Sequence, residues 1–343
     1  MANWTVFLPG DMLYEETVVP GLERAGCRIK RGPRGTPGVM VEYPPEQLDA
    51  LFGDVDAIIA TPRELYPRAV LAAARKLRII SSAVIGTEQI DVDAATEMGI
   101  VVAHGAVPEN YLGVSEAVVL LALALVRELK RKERDLRSLR WRPSDPGHML
   151  WRRTFGLIGL GRVGVGVAER LQGWGVRMLG YDPYVAPEVP RRLGVELTDL
   201  DTLLRESDVV SIHVTLTDET RHLIGERELA LMKPSAYLIN TARGAAVDEQ
   251  ALARALAAGR IAGAGIDVWE REPPLPDNPL LQFEDNAILT PHNLAHSQEC
   301  YDALAQTAIE NTLRGLRGEE PVYVKNPRVL PQWHERLRRL SGS

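Results

Sequence analysis

The run Gly159-Leu160-Gly161-Arg162-Val163-Gly164 constrains this chain more than any other feature. It follows an apolar run, Phe155–Ile158, and opens a helical stretch, Val163–Gln172. Glycines are common in turns, so the pattern alone is weak; its place between a strand and a helix makes it specific. Gly159 permits a tight turn, Gly161 lets backbone approach a pyrophosphate, and Gly164 lets helix and strand pack closely. The N–H groups at the helix start then face the phosphates. The next strand ends in Asp182, and an acid about 20 residues past the glycines hydrogen-bonds ribose hydroxyls and repels a 2′-phosphate. No arginine directly follows in Asp182-Pro183-Tyr184, so NAD is favoured over NADP. The competing reading is a turn-rich α/β protein without a nucleotide; strand, glycines, helix and acid falling in order weigh against it.

The surrounding pattern alternates. Strands are expected at Thr154–Ile158, Arg177–Tyr181, Val209–His213, Ala236–Asn240, Gly263–Asp267 and Ala287–Thr290, with helices between them such as Leu200–Glu206 and Glu249–Ala258. Six strands make one dinucleotide-binding domain. The first third alternates too, with strands at Thr5–Leu8, Ala57–Ala60, Leu77–Ser81 and Ile100–Ala103 and helices at Glu46–Phe52, Pro67–Arg75 and Asp93–Met98. Short apolar runs alternating with helices imply parallel sheets covered on both faces. Gly32–Gly38 is a loop, and Trp141–Gly147, with two prolines and a glycine, is a break. Between them the pattern predicts one long helix from Ser115 to about Leu139, capped by Ser115, with Glu116 at its positive end. The tail from about His296 reads as helical, then extended at Pro321–Asn326, and is expected to return to the first domain. A length of 343 residues supports two domains.

Composition excludes several classes. The net charge of -6 gives no reason to expect nucleic acid or an anionic membrane as partner. The basic cluster Lys130–Arg142 is interrupted by Glu133 and Asp135, which suits a solvated helix face or a subunit contact. Cys27 and Cys300 form neither a CxxC pair nor a metal cluster, so no metal is expected and a reducing compartment fits. Residues 1–10 lack the basic start and long apolar core of a secretory signal. The most apolar stretch, Ala117–Val126, is too short to span a bilayer. A cytoplasmic protein is expected.

Three polar residues follow strands of the nucleotide domain: Arg243 after Leu238–Asn240, Glu272 after Ile266–Val268, and His292 after Ile288–Pro291. Ligands of open α/β sheets bind at the carboxyl ends of strands. An arginine holds a carboxylate and polarises a carbonyl. A histidine supplies the proton that accompanies a hydride, and a glutamate paired with it raises its pKa and fixes its tautomer. Singly, each residue also reads as a loop salt bridge, an exposed acid or a structural hydrogen-bonder. Their order on a nucleotide fold favours the joint reading, hydride chemistry on an oxo acid.

With these residues the chain resembles the D-isomer-specific 2-hydroxyacid dehydrogenases, which include phosphoglycerate, glycerate and glyoxylate/hydroxypyruvate members. The resemblance runs from about Asp54 to about Pro327 and is strongest in Gly159–Gly164, His213–Thr220, Asn240–Gly244, Asp267–Pro273 and Thr290–His292. It implies two Rossmann-like α/β domains, with an NAD-binding domain (residues 115–293) inserted into a flavodoxin-like substrate domain (residues 1–114 and 294–343). It implies a catalytic set of Arg243 on the substrate carboxylate, His292 as acid/base and Glu272 in support. It places Arg162 and Val163 at the pyrophosphate, Asp182 at the ribose, and Val214, Thr241, Ala242 and Asp267 along the rest of the cofactor, beside the glycines Gly159, Gly161 and Gly164. Ile85 and Gly86 match the loop whose backbone meets the substrate carboxylate. A small 2-oxo or 2-hydroxy acid is the implied partner. A homodimer formed through residues 117–139 and Trp141 is implied as well.

The chain departs from the family pattern at Val84, where glycine is common; at Thr215, a usual proline; at Tyr111, a usual small residue; and at Asn293–His296, a usually more apolar run. Tyr111 and the last run point to an unusual substrate. Thr61 stands where phosphoglycerate members carry a basic residue, although Arg63 is near. Two alternatives stand beside the dehydrogenase reading: a dimeric NAD(H)-sensing protein of the co-repressor type, and a phosphite-type dehydrogenase. Glu272 stands where formate enzymes use an amide, which argues against formate.

Overall fold

The structure, a computed structural model, describes residues 4–36, 39–142 and 146–342. Residues 37–38 of the expected Gly32–Gly38 loop and residues 143–145 of the expected break at Trp141–Gly147 lie outside the described residues. The chain divides into a terminal unit, residues 1–109 with 297–343, and a central unit, residues 110–296.

The terminal unit is built on five parallel strands: β1 (Thr5–Leu8), β2 (Arg28–Arg31), β3 (Ala57–Ala60), β4 (Ile79–Ser82) and β5 (Val101–Ala103), in the order β2-β1-β3-β4-β5. That order is the flavodoxin-like winding. Side chains alternate between two cores, as the pleat requires. Val6, Leu8, Ala57, Ile59, Ile79 and Val101 face one, while Phe7, Ile58, Ala60, Ile80 and Val102 face the other. The first core is closed by helices Glu15–Arg24, Gln298–Arg317 and Leu330–Ser341, the second by Leu48–Phe52, Arg68–Ala73 and Val92–Glu97. Burial on both faces explains the near-continuous apolar strands.

Strand β2 was not expected, because Arg28-Ile29-Lys30-Arg31 carries three charges. It is an edge strand, with Arg28 and Lys30 paired to Asp54, and charge on an edge is the usual guard against further strand pairing. The tail does join the terminal unit. Asn326 accepts the Val102 N–H at 2.9 Å and donates to Ile100 O at 3.1 Å. The segment 321–326 makes only an isolated bridge, Val324 to Ala103, and a final helix follows that the sequence pattern did not announce. Its Trp333 is fully buried and donates to Arg78 O at 2.8 Å.

The central unit has seven parallel strands, not six: β6 (Thr154–Ile158), β7 (Arg177–Tyr181), β8 (Val195–Leu197), β9 (Val209–Ile212), β10 (Tyr237–Asn240), β11 (Gly263–Ile266) and β12 (Ala287–Leu289). The order β8-β7-β6-β9-β10-β11-β12 is the doubly wound order with one extra edge strand. That extra edge strand is β12, which the sequence pattern included; the strand it lacked is β8, at three residues too short to read as a strand in the sequence.

The expected helix 115–139 is two helices, Pro108–Val126 and Leu129–Arg137. Pro108 starts the first, its fixed φ suiting a helix entrance. Ser115 is therefore not a cap: its Oγ donates back to Tyr111 O at 2.7 Å and to Val163 O at 3.2 Å. The break follows because His148 N–H takes the Val126 carbonyl at 2.6 Å and Glu128 turns left-handed at φ 54°. The 19-residue first helix is long and apolar enough to cross a membrane by length and composition, unlike the shorter stretch 117–126 considered alone. Half of it is buried inside the protein, with Val118, Leu121, Ala122 and Leu125 in the core.

Glu64, just past β3, is only 2% exposed. Burial raises its carboxyl to about 7, against the hydrogen bonds from Thr61 Oγ1 at 2.9 Å and Tyr66. The folded value exceeds the unfolded one. Its contribution to stability is therefore complete below the unfolded value and is lost as pH rises through about 7. Glu64→Gln should raise the thermal midpoint at about pH 8.5, by a gain on the order of 2 kcal/mol, and change it little at about pH 5. Equal effects at both pH values would refute the burial argument.

Candidate active site

Strand register decides where the polar residues meet. Ile158 pairs with Tyr181 and Ile212, Ile212 with Asn240, Asn240 with Ile266, and Ile266 with Leu289. The residues after each of these, Gly159, Asp182, His213, Thr241, Asp267 and Thr290, therefore stand side by side along the carboxyl edge of one sheet. Those spaced sequence motifs become one row at the end where open α/β sheets bind ligands.

The glycine loop is shaped by close approach. Gly159 is left-handed at φ 94°, and a Cβ there would lie 3.0 Å from the His213 carbonyl. A Cβ on Gly164 would lie 2.1 Å from Gly159 O, so only glycine lets the helix Arg162–Leu171 sit against the loop. A Cβ on Gly161 meets nothing within 4 Å. Gly161 is also the N-cap of that helix and offers no side-chain cap, leaving a cradle of backbone donors open to an anion. Arg162 lies over the Tyr111 ring at 5.7 Å, and Val163 O receives Ser115 Oγ. Asp182 accepts Leu160 N–H at 2.8 Å and Tyr184 N–H at 2.9 Å, so it also fixes the loop it faces.

Thr241 Oγ1 is buried with no hydrogen-bond partner among the described residues. Such an orphan is costly unless a ligand completes it. Ala242 N–H is held by Asn240 Oδ1 at 3.1 Å, and Asn240 Nδ2 holds Arg243 O at 2.9 Å. Val214, partly buried, packs against the core beside them. The orphan hydroxyl, the open cradle and the carboxylate at the adjoining strand end fit a dinucleotide.

Asp267, buried, gathers the next loop. Its Oδ1 accepts Thr290 Oγ1 at 2.6 Å and the N–H groups of Asn293 at 3.1 Å and Leu294 at 3.2 Å. His292 is held inside that turn at φ 54°. Its Nδ1 lies 2.8 Å from both Glu272 oxygens. Glu272 Oε1 also accepts the Trp269 N–H at 3.1 Å, and Trp269 Nε1 donates to Thr290 O at 3.0 Å, tying the two loops together. The Arg243 loop joins them: a Cβ on Gly244 would lie 1.8 Å from the Trp269 carbonyl carbon.

The hydrogen bond that His292 donates to Glu272 holds its imidazole above the ordinary value, against burial and the Arg243 charge. Burial would lift the Glu272 carboxyl, but the His292 bond and charge, the Trp269 N–H and Arg243 together bring it below the usual carboxylate range. Arg243, Glu272 and His292 are thus electrically coupled in one place. The pair remains open to solvent, with side chains 45% and 42% exposed. Ile85 and Gly86 belong to the terminal unit.

Sequence reasoning gave no role to three side chains. His213 has both ring nitrogens buried and without a hydrogen-bond partner among the described residues, and burial pushes it down to about 3, so it is a neutral wedge beneath the glycine loop. Thr290 and Trp269 lie inside recognisable motifs, but their bonds to Asp267 and across the loops carry no pattern in the sequence. Among the described residues no group of acids, histidines and cysteines is arranged to hold a metal.

The two glycines separate packing from binding. Gly161→Ala should leave unfolding stability within about 0.5 kcal/mol of the parent, because its Cβ points into open space. The same change should weaken NADH binding at least tenfold, roughly the loss of one or two backbone contacts. Gly164→Ala should lower stability itself. Unchanged NADH affinity in Gly161→Ala, read by nucleotide fluorescence, would remove the cradle from the binding site.

Known proteins match this arrangement. A family model for the D-isomer specific 2-hydroxyacid dehydrogenase, NAD binding domain, matches residues 119–293. The glyoxylate reductase of Korarchaeum cryptofilum is 41% identical over 281 residues, covering 81% of this chain and 84% of its own length. The D-3-phosphoglycerate dehydrogenase of Methanocaldococcus jannaschii is 40% identical over 289 residues, covering 84% of this chain but 55% of its own, so the chain spans about half of that relative. The structure of D-lactate dehydrogenase from Aquifex aeolicus, complexed with NAD and lactic acid, superposes with a TM-score of 0.80 at 29% identity, covering 92% of this chain and 96% of its own. The chain therefore belongs to the D-isomer-specific 2-hydroxyacid dehydrogenase family and is an NAD-dependent oxidoreductase acting on CH–OH donors.

Proposed function

We propose that the protein interconverts a small 2-oxo acid and its D-2-hydroxy acid, with His292 as the acid/base. One observation carries the assignment: His292 Nδ1 is committed to the Glu272 carboxylate, 2.8 Å from each oxygen. That fixes the tautomer, stabilises the protonated ring and leaves Nε2 for the substrate oxygen. The cofactor, when bound, supplies a hydride to the 2-carbon of the oxo acid or accepts one from the hydroxy acid. The open cradle at Gly159, Gly161 and Gly164, with Arg162 and Val163, receives its pyrophosphate. Asp182 receives its ribose, and Val214, Thr241, Ala242 and Asp267 line the remainder.

In reduction, Arg243 binds the substrate carboxylate, and the Ile85 and Gly86 N–H groups of the terminal unit are backbone donors suited to a carboxylate. His292 Nε2 donates the proton that the new hydroxyl needs. Negative charge growing on the substrate oxygen meets Arg243 and protonated His292, and a preorganised donor of this kind contributes roughly 3–4 kcal/mol. Glu272 touches no substrate; it keeps the proton on His292.

A homodimer is part of the proposal. Leu129, Leu136, Leu139, Trp141, Met149 and Trp151 are all exposed along the arm that begins in residues 117–139. An apolar stripe of that kind marks a protein contact. A reducing cytoplasm suits Cys27 and Cys300, both buried thiols.

His292→Ala should lower turnover by about 10²–10⁴-fold with little change in the Michaelis constant, whereas Arg243→Ala should raise that constant as well. The test is NADH oxidation against glyoxylate, hydroxypyruvate, pyruvate, 2-oxoglutarate and branched 2-oxo acids. Turnover by His292→Ala within a few-fold of the parent would reject the assignment.

The pH profile follows from the His292 shift. Reduction needs the protonated ring, so its rate should fall as pH rises through the raised value. Oxidation needs the neutral ring and should fall as pH drops through the same value. Glu272→Gln removes the charge that raises it, so both limbs should move to lower pH. Limbs that stay in place would show that His292 is not the titrating group.

A further inference from the structure

The loop after β4, Val84-Ile85-Gly86, is held by its carbonyl groups. Val84 O accepts Gly105 N–H at 2.9 Å. Ile85 O is 3.2 Å from His104 Nδ1, and since a carbonyl can only accept, that nitrogen carries the hydrogen. Gly86 O accepts Ser82 Oγ at 2.8 Å, and the same Oγ receives Val84 N–H at 3.4 Å. Three successive carbonyl groups are thus tied down. In a planar trans peptide each C=O points opposite to the N–H of the next residue. The N–H groups of Ile85, Gly86 and Thr87 are therefore turned away from these anchors, and none of them donates to an acceptor among the described residues. Successive backbone donors left without acceptors are available to an anion.

The anchors are themselves rigid. Ser82 is buried at the end of β4. His104 follows β5; its N–H donates to Tyr323 O at 3.0 Å, and its ring meets Tyr323 edge-on with centroids 6.5 Å apart. All of these residues lie in the terminal unit.

We propose that Ser82 and His104 are positioning residues that hold the Ile85–Thr87 backbone donors in place for the substrate carboxylate. The inference rests on the reading of the activity above, and it adds the two side chains that set the loop's shape. Neither touches substrate. Both act on how tightly a carboxylate is held, not on the proton or hydride step.

The test compares Ser82→Ala, His104→Leu and His104→Asn with the parent, using the best 2-oxo acid of the panel and oxamate, a non-reducible carboxylate. Each of the first two should raise the Michaelis constant and the oxamate dissociation constant roughly three- to tenfold, the worth of one hydrogen bond. Turnover should stay within about twofold, and NADH affinity should not change, since the nucleotide cradle lies in the other unit. His104→Asn should stay near the parent, because its Nδ2–H can serve the same carbonyl. Unchanged oxamate affinity in both variants would overturn the proposal. So would His104→Asn behaving like His104→Leu, with turnover and thermal midpoint falling together. If the parent binds oxamate but reduces no oxo acid, the activity reading fails while the oxamate constants still decide the role of Ser82 and His104. If the parent does not bind oxamate either, both fail.

Discussion

Parallel pairing in one register is the constraint on which the rest of the central unit depends. Six of the seven strands end level, so residues drawn from positions 159 to 290 arrive at one edge. A slip of one residue at β10 would turn Asn240 and Thr241 to opposite faces and carry the Arg243 loop with them. Both faces of the sheet are buried, and that is what fixes the register: Ile158, Val210, Ile212, Leu238 and Ile266 serve one core, Phe155, Leu157, Val209 and Ile239 the other. Hydrophobic patterning, the least specific property of the chain, thereby places its most specific chemistry.

Beyond the strand ends, the site is assembled by backbone groups bonded to side chains. Asp182 fastens the glycine loop, Asn240 the Arg243 loop and Asp267 the His292 turn. Three short polar side chains each satisfy main-chain groups that a loop would otherwise leave to water. The chemistry-bearing side chains stay comparatively exposed, while Asn240 and Asp267, which aim them, are buried. His292 and Glu272 can thus face a substrate without their loops being mobile.

Much of this was legible in the sequence, for identifiable reasons. The nucleotide loop could be read because Gly159, Gly161 and Gly164 each answer a separate steric demand at fixed spacing. Arg243, Glu272 and His292 could be found because each follows an apolar strand. What could not be read has physical causes too. Strand β2 is charged because it is an edge, and β8 is too short to show a period. The helix break at Glu128 depends on His148 reaching Val126, a contact between residues distant in sequence. Ser115 looked like a cap because serine favours that role, yet the helix had begun a turn and more earlier at Pro108. The ties from Thr290 and Trp269 are tertiary and leave no local signature.

The terminal unit is discontinuous, and this bears on the order in which the chain can acquire its structure. Strands β1 to β5 emerge from the ribosome before the central unit, yet one face of their sheet is closed by helices Gln298–Arg317 and Leu330–Ser341. Until residues 298–341 have been made, Ile79 and Val101 lack the partners that cover them, among them Trp333 and Leu316. The central unit, continuous in sequence, meets no such delay and is free to fold as soon as it is synthesised. Closing the terminal core then requires contacts of very long sequence separation, the slowest kind to form. The early strands would spend that interval as an exposed apolar surface, where the charges of β2 at one edge are the guard already in place.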